Sequence, residues 1–252
     1  MSKIKVIGSS HLCLKWATES LPYQGSFICI PDHTYQQGDQ STVEQALDDT
    51  ALLIFSGGAD ISPTLYGVDT LHPKTGPLNT IRDSWEVRLW MAAVMKRIPI
   101  VGICRGAQFC TAMTGGTLAQ HIRGHTGVKH RLIYKDALES FVTIASTHHQ
   151  MCLPNPDNTV LLAWTKGLSK GKYEGYPPNR YTPNELEPEI MYWPKYNCLG
   201  IQGHPEYAPS EDLGRKLCEQ YLHMLMNNPS FLTHRGFPLW SGNAFQKVHE
   251  YD

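Results

Sequence analysis

Short, fully apolar runs alternate with helix-like segments in the first half of the chain, and this alternation limits the possible folds more than any other feature. The expected strands are Ile4–Ile7, Phe27–Ile30, Ala51–Phe55 and Ile98–Ile103. The expected helices between and after them are Val43–Leu47, Ile81–Lys96 and Ala107–Met113. Strands that are apolar on both faces are typical of a parallel sheet covered by helices on both sides. We therefore predict an α/β fold with a doubly wound, mostly parallel sheet.

The second half of the chain has a different pattern, which predicts a small antiparallel section. The expected strands there are Arg131–Tyr134, Phe141–Ile144, Val160–Trp164, Glu189–Trp193 and Cys198–Gln202. Residues 167–188 are rich in Gly, Pro, Tyr and Asn and are expected to form a loop. Residues 210–226 have helical spacing. We predict one catalytic domain over residues 1–226, followed by an aromatic extension over 227–252 that packs on the domain or on a partner.

Composition narrows the classes of partner and compartment. The chain has 252 residues and a formal net charge of −1, so we expect neither nucleic acid nor a membrane surface as a direct partner. No apolar run approaches the roughly 20 residues that cross a bilayer. The seven cysteines include no CxxC pair. Reduced thiols, and hence a cytoplasmic location, are the simplest interpretation.

The segment Gly102-Ile103-Cys104-Arg105-Gly106 places a cysteine between two glycines where a buried strand should end. A sharp strand-to-helix turn of this kind projects its central side chain above the carboxyl edge of the sheet. The N-terminus of the following helix favours the thiolate, which is the nucleophilic form. Cys104 is therefore a candidate nucleophile, and a buried small apolar residue at a tight turn is the alternative.

A nucleophilic cysteine needs a base, and the segment Gly203-His204-Pro205-Glu206 offers one. In an extended segment, His204 and Glu206 point the same way, and Pro205 favours that form for His204. The carboxylate can then orient the imidazole that takes the thiol proton. A solvated turn is the alternative, which the presence of Cys104 makes less attractive.

Five further histidines invite a metal hypothesis: His121, His125, His130, His148 and His149. His121 and His125 have the i, i+4 spacing of a helical pair, but Gly124 between them opposes a helix. No acidic partner is evident near them in the sequence. We therefore predict no metal and no other cofactor.

The two segments together, GICRGAQ and GIQGHPEY about a hundred residues later, resemble the class I glutamine amidotransferase superfamily, whose Cys–His–Glu triad has this order. Further motifs are similar to the γ-glutamyl hydrolase-like branch, the peptidase C26 group that includes γ-glutamyl-γ-aminobutyrate hydrolase: the Gly57-Gly58 loop, Arg82–Glu86, Arg105 and the Ser146–Gln150 segment. The sequence departs from that branch at Ala145 and Gly203, near the expected substrate pocket. The resemblance implies a flavodoxin-like fold.

The resemblance also implies roles for individual residues. Cys104, His204 and Glu206 would form the catalytic triad. The oxyanion hole would consist of backbone N–H groups at Gly57, Gly58 and Arg105. The substrate would be bound by Gln108, Ser146 and His148.

The implied reaction is hydrolysis of the γ-glutamyl amide of glutamine or of a γ-glutamyl conjugate. Two forms stay open: a stand-alone hydrolase, or a glutaminase that supplies ammonia to a separate synthase. A homodimer is compatible with either. The alternatives are a hydrolase of another kind and a non-catalytic regulatory or assembly subunit, and the intact triad disfavours both.

Overall fold

A computed structural model describes residues 3–7, 11–21, 26–30, 45, 47–135, 142–170, 172–175 and 186–238. Its strands are β1 (Lys3–Ile7), β2 (Ser26–Ile30), β3 (Thr50–Phe55), β4 (Ile100–Ile103), β5 (Thr117–Ala119), β6 (Val128–Tyr134), β7 (Val142–Ser146), β8 (Met151–Leu153), β9 (Val160–Lys166), β10 (Leu186–Trp193), β11 (Cys198–Ile201) and β12 (Phe237–Pro238). Its α-helices are α1 (His11–Ser20), α2 (Thr80–Met95), α3 (Arg105–Met113), α4 (Leu213–Asn227) and α5 (Ser230–Arg235).

One large sheet organises the described residues, in the order β2-β1-β3-β4-β11-β10-β9-β6-β7. The neighbours from β2 to β11 are parallel, and those from β11 to β7 are antiparallel. A separate pair joins β5 to β8. The predicted fold class, a mostly parallel doubly wound sheet with an antiparallel section, is therefore confirmed.

Strand β3 explains why these runs are apolar at every position. Leu53 and Phe55 lie in a core with side chains of α2 and α3, whereas Leu52 and Ile54 lie in a core with those of α1 and α4. All four side chains are fully buried. Helices thus cover both faces of the sheet, and neither face tolerates alternating polar residues.

The helices begin close to where the sequence predicts them, and their caps explain the differences. The side chain of Asn79 accepts a hydrogen bond from Arg82 N, so α2 begins at Thr80. Asp212 accepts from the backbone N–H groups of Gly214 and Arg215, so α4 begins at Leu213 rather than at Ser210. Such caps satisfy backbone donors that have no partner within the helix.

Some expectations fall wholly or partly outside the described residues. The predicted helix Val43–Leu47 is described only at Gln45 and Leu47. The expected loop 167–188 is described in part, and strand β10 already begins at Leu186. Residues 239–252 of the extension lie outside the described part of the chain.

The described start of the extension lies against the domain. Leu232 of α5 is fully buried, and β12 pairs with β9. The division at residue 226 remains a prediction. Among the described residues, no helix is both long enough and apolar enough to cross a membrane.

Candidate active site

Cys104 lies in the sharp turn between β4 and α3 and has backbone angles of φ 53° and ψ −108°. A positive φ is unusual for a side chain with a Cβ and indicates a strained turn. The flanking glycines are needed for the close approach of neighbouring backbone. A Cβ at Gly102 would overlap the carbonyl of Gly106, and a Cβ at Gly106 would overlap the carbonyl of Phe55. The geometry is that of a nucleophile elbow.

Strand β11 lies directly beside β4 in parallel register, so the residues after the two strands meet at one edge of the sheet. His204 follows β11, and its Nδ1 lies 2.8 Å from Glu206 Oε1. The His204 imidazole also interacts with the Cys104 thiol. The structure thus brings together the three residues expected to form the triad.

The path of the chain from His204 to Glu206 differs from the predicted extended segment. His204 is extended, with φ −120° and ψ 84°, but Pro205–Tyr207 forms a turn of 3-10 helix. Proline is well suited to the first position of a helical turn because its φ is fixed and it needs no N–H acceptor there. The turn carries the Glu206 carboxylate back to the imidazole.

The site favours a charged imidazole at His204. Burial alone would lower the pKa of His204, but hydrogen bonds and charge interactions with Cys104 and Glu206 outweigh it and raise the pKa to about 10. An imidazolium beside a thiol stabilises the thiolate. The pair can therefore provide a nucleophile and a proton donor in one contact.

Two contacts of His204 were not anticipated from the sequence. Thr147 Oγ1 lies 2.8 Å from His204 Nε2, and the Tyr207 ring stacks on the imidazole with centroids 4.2 Å apart. Cys13, from α1, donates to Glu206 Oε1 at 3.5 Å. Thr147 belongs to the Ser146–Gln150 segment, whereas no local sequence signal marks Cys13, and only the three-dimensional fold brings both to the His204–Glu206 pair.

The Gly57-Gly58 loop closes the pocket opposite His204. A Cβ at Gly57 would lie 3.4 Å from His204 Cε1 and 3.8 Å from Cys104 Cβ, so this loop lies directly against both side chains. The Arg82 guanidinium donates to the carbonyls of Ser56 at 3.0 Å and Gly57 at 3.1 Å. The loop is therefore fixed by a buried side chain of α2.

Arg105 contributes to the site through both its backbone and its side chain. It is the first residue of α3, so its N–H has no acceptor within the helix. Its buried guanidinium pairs with Asp83 at 2.5 Å and with Glu86, and it donates to the Ala59 carbonyl at 3.0 Å. The Arg82–Glu86 motif thus ties the elbow to the glycine loop.

A cavity of about 450 Å³ opens at this edge of the sheet. Its lining includes Cys104, His204, Gln108 and His148. Ser146, by contrast, donates its hydroxyl to the His125 carbonyl at 2.5 Å, and Thr147 is the neighbour that lines the cavity. The expected substrate contacts of Gln108, His148 and Ser146 remain predictions.

A charged pair stands at the other side of the cavity. His149 Nε2 lies 3.1 Å from Asp60 Oδ2, and this contact with Asp60 raises the pKa of His149. Both residues line the cavity. Together they place a carboxylate and an imidazole in the lining of the cavity.

Cys104 differs from the other buried cysteines. Among the described residues, six cysteines are free. Burial raises the pKa of the thiols of Cys110, Cys152 and Cys218, which keeps them protonated and unreactive. Cys104 alone of these four lies beside an imidazole in a cavity.

The fold is that of class I glutamine amidotransferases. A putative GMP synthase component from Thermoplasma acidophilum superposes with a TM-score of 0.58 at 17% identity, over 92% of this chain and 97% of that one. At that identity the likeness supports the fold alone.

The family model for peptidase C26 matches residues 24–166, and the chain belongs to that family. A putative glutamine amidotransferase of Mycobacterium tuberculosis is 40% identical over 95 residues, which are 36% of this chain and 30% of that protein. The protein NtpR of Enterococcus hirae is 29% identical over 68% of this chain and 73% of its own length. The match to the mycobacterial relative thus spans less than a third of its length.

Proposed function

We propose that the chain hydrolyses γ-glutamyl amide bonds through a thioester on Cys104. The observation that carries the proposal is the meeting of Cys104, His204 and Glu206 at one cavity. Membership of the peptidase C26 family supports this reaction class. The substrate is glutamine or a γ-glutamyl conjugate of an amine.

In the first half of the reaction, Cys104 Sγ attacks the γ-carbonyl carbon. The N–H of Arg105 and those of the Gly57-Gly58 loop stabilise the oxyanion, each donor contributing roughly 3 kcal/mol as in other enzymes. His204 passes its proton to the leaving nitrogen as the C–N bond breaks. The products are an amine or ammonia and a γ-glutamyl thioester.

In the second half, water attacks the thioester carbon while His204 takes its proton. The C–S bond breaks, glutamate leaves and the thiolate is restored. Glu206 keeps His204 Nδ1 protonated and oriented throughout, because a carboxylate accepts but does not donate.

The decisive experiment compares two substrates on the purified protein. Glutamate and ammonia are assayed after incubation with L-glutamine, and glutamate and amine after incubation with γ-glutamyl-amine conjugates. Cleavage that disappears in Cys104→Ala supports the proposal. Cleavage of conjugates alone identifies a stand-alone hydrolase, and cleavage of glutamine identifies an ammonia supplier.

The ammonia-supplying form requires a separate synthase as partner. If neither substrate is cleaved by the isolated chain, even with a candidate synthase added, the non-catalytic role becomes the better account.

A further inference from the structure

A second cluster of ionisable side chains lies beneath the catalytic pocket, and it consists of His125, His130, His148 and Glu189. All four are buried. One ligand atom from each can be chosen so that all lie within 4.8 Å of one another. Glu189 Oε1 is the common neighbour: it lies 3.3 Å from His125 Nδ1, 3.2 Å from His130 Nε2 and 3.7 Å from His148 Nε2.

These atoms lack hydrogen-bond geometry despite their proximity. His125 Nδ1, both ring nitrogens of His130, His148 Nε2 and both carboxylate oxygens of Glu189 have no hydrogen-bond partner. A buried polar atom without a partner costs roughly 1–3 kcal/mol. Four of these atoms, the three histidine nitrogens nearest Glu189 and Glu189 Oε1 itself, lie close together and call for a shared occupant.

The outer contacts of two histidines fix which nitrogen carries a proton. The Gln150 carbonyl can only accept, so His148 Nδ1, at 2.8 Å, is the protonated nitrogen. Glu187 Oε2 likewise accepts from His125 Nε2 at 2.9 Å. In the neutral rings, His148 Nε2 and His125 Nδ1 therefore direct lone pairs toward Glu189. Lone pairs converging on a carboxylate repel unless a positive charge lies between them, either a metal ion or a proton on one of the rings.

Glu187 is itself held in place for this role. Its Oε1 accepts from Ser169 N at 2.8 Å and from the Tyr173 hydroxyl at 3.0 Å. A carboxylate that accepts from the outer nitrogen of a histidine, and so orients the inner nitrogen, is characteristic of metal sites. The expectation that these histidines have no acidic partner is therefore wrong. Glu187 lies 62 residues after His125, and no local pattern connects the two.

We propose that His125, His130, His148 and Glu189 bind a divalent metal ion, zinc being the best fit. Three imidazole nitrogens and one carboxylate oxygen form a four-ligand set that zinc accepts. Ligands at the usual bond lengths of about 2.0–2.1 Å are about 3.3 Å apart in a tetrahedron. Two of the three Glu189 distances, 3.3 Å and 3.2 Å, are close to that separation. A site with all four positions filled by protein is structural rather than catalytic.

The ion would stabilise the segment that holds the catalytic histidine. His148 adjoins Thr147, whose hydroxyl contacts His204, and the Glu189 carbonyl accepts from Gln202 N at 2.7 Å. The ion thereby joins β6, β10 and the segment after β7 at the floor of the pocket. Its binding does not depend on the proposed reaction, but an ion on His148 Nε2 would leave that ring no nitrogen for the expected substrate contact, because Nδ1 already faces the Gln150 carbonyl.

The test measures metal content on the full chain, with no assay of activity. After dialysis without added metal, elemental analysis is expected to find about one zinc ion per chain. Protein stripped by a chelator should regain the ion, and Co²⁺ in its place should give the visible absorption bands of a tetrahedral site. Its melting temperature should rise when zinc is added.

Variants locate the ion. Glu189→Gln and His130→Asn are expected to lower zinc affinity at least about tenfold, whereas the exposed His234→Asn and the pocket variant Cys104→Ala should keep it. The wild-type measurements need no variant, so a folding defect in Glu189→Gln leaves them decisive. If wild-type protein holds no metal and binds neither Zn²⁺ nor Co²⁺, a proton on His125 fills the cluster and the proposal is overturned.

Discussion

At the scale of single residues, the site depends on a backbone angle and a charge. Cys104 has a φ of 53°, which orients its side chain toward the cavity edge rather than into the sheet. His204 supplies the charge, because Cys104 and Glu206 favour its protonated form. Two experiments test this charge separately: one replaces the Glu206 carboxylate, and the other follows stability as His204 loses its proton.

Replacement of Glu206 by glutamine should reduce turnover of the γ-glutamyl substrate by about tenfold or more. The amide keeps the size of the side chain but cannot stabilise the imidazolium, and its NH₂ group can force the wrong tautomer on His204. Steady-state kinetics measure the effect, with the exposed neighbour Glu211→Gln as matched control. If Glu206→Gln and Glu211→Gln turned over the substrate at the same rate, the proposed role of Glu206 would be contradicted.

The titration of His204 predicts how stability depends on pH. Its pKa is about 10 in the folded protein, against a reference of 6.5. Protonated His204 therefore stabilises the folded state fully below about pH 6.5, and this contribution to the unfolding free energy is lost as the pH rises through 10. The difference in unfolding free energy between wild type and His204→Asn should shrink by more than about 1 kcal/mol between pH 7 and pH 10.

Urea unfolding at the two pH values measures this difference directly. The comparison with His204→Asn cancels the titration of groups that do not interact with residue 204, and the same measurement on Cys104→Ala identifies the part due to the thiol. A difference that stays constant or grows with pH would show that the imidazole is not held in its charged form.

At the scale of elements, β3 and α3 approach so closely that only glycine fits between them. A Cβ at Gly106 would overlap the Phe55 carbonyl, so Gly106→Ala must push α3 away from the sheet. We expect a loss of unfolding free energy of about 3 kcal/mol or more, as for severe overpacking. Denaturant unfolding followed by circular dichroism measures it.

Gly67→Ala is the matched control for Gly106→Ala. Gly67 has a φ of 74°, but nothing lies within 4 Å of an added Cβ. Its substitution should cost only the strain of a left-handed residue, about 1–2 kcal/mol. If Gly106→Ala lowered the unfolding free energy no more than Gly67→Ala, α3 would be able to shift freely. The close approach of β3 and α3 would then not require glycine.

Periodicity in the sequence predicts most central elements within a few residues, because each of them contains enough buried apolar residues to be recognised without its neighbours. The run Ala51–Phe55 is contained in β3, and Ile81–Lys96 is close to α2. Periodicity does not predict helix α1, although the helix has a buried face formed by Cys13, Trp16, Ala17 and Ser20. Ten residues with one buried stripe carry a weaker signal than a continuous apolar run.

The candidate site could be predicted only where its residues form local motifs. Cys104 and the His204–Glu206 pair stand out in the sequence, and the structure brings them together. Asp60 and Thr147 lie in segments that the sequence singles out, but their contacts with His149 and His204 could not be predicted, because these depend on how distant segments pack. For the same reason the sequence does not predict that Glu189 lies among three histidines.

At the scale of the whole molecule, the parallel centre of the sheet should be its most stable part. Strands β4 and β11 each have a neighbour on both sides, whereas β7 ends the order of strands in the sheet. Amides of Val101 and Leu199 should exchange with deuterium at least about a hundredfold more slowly than those of β7, since buried central strands open only with global unfolding. Exchange followed by mass spectrometry tests this, and equal rates would contradict it.

The position of β11 in the sheet also determines when the contacts of Cys104 can form during synthesis of the chain. Strand β4 and Cys104 leave the ribosome about a hundred residues before β11. In the folded sheet β11 pairs with β4 on one side and with β10 on the other. Until β11 pairs, the Cys104 thiol has no imidazole beside it, and one side of β4 has no neighbour. A growing chain would therefore hold an unactivated thiol together with an unpaired strand edge that can pair with other chains, and both conditions would end when β11 pairs with β4.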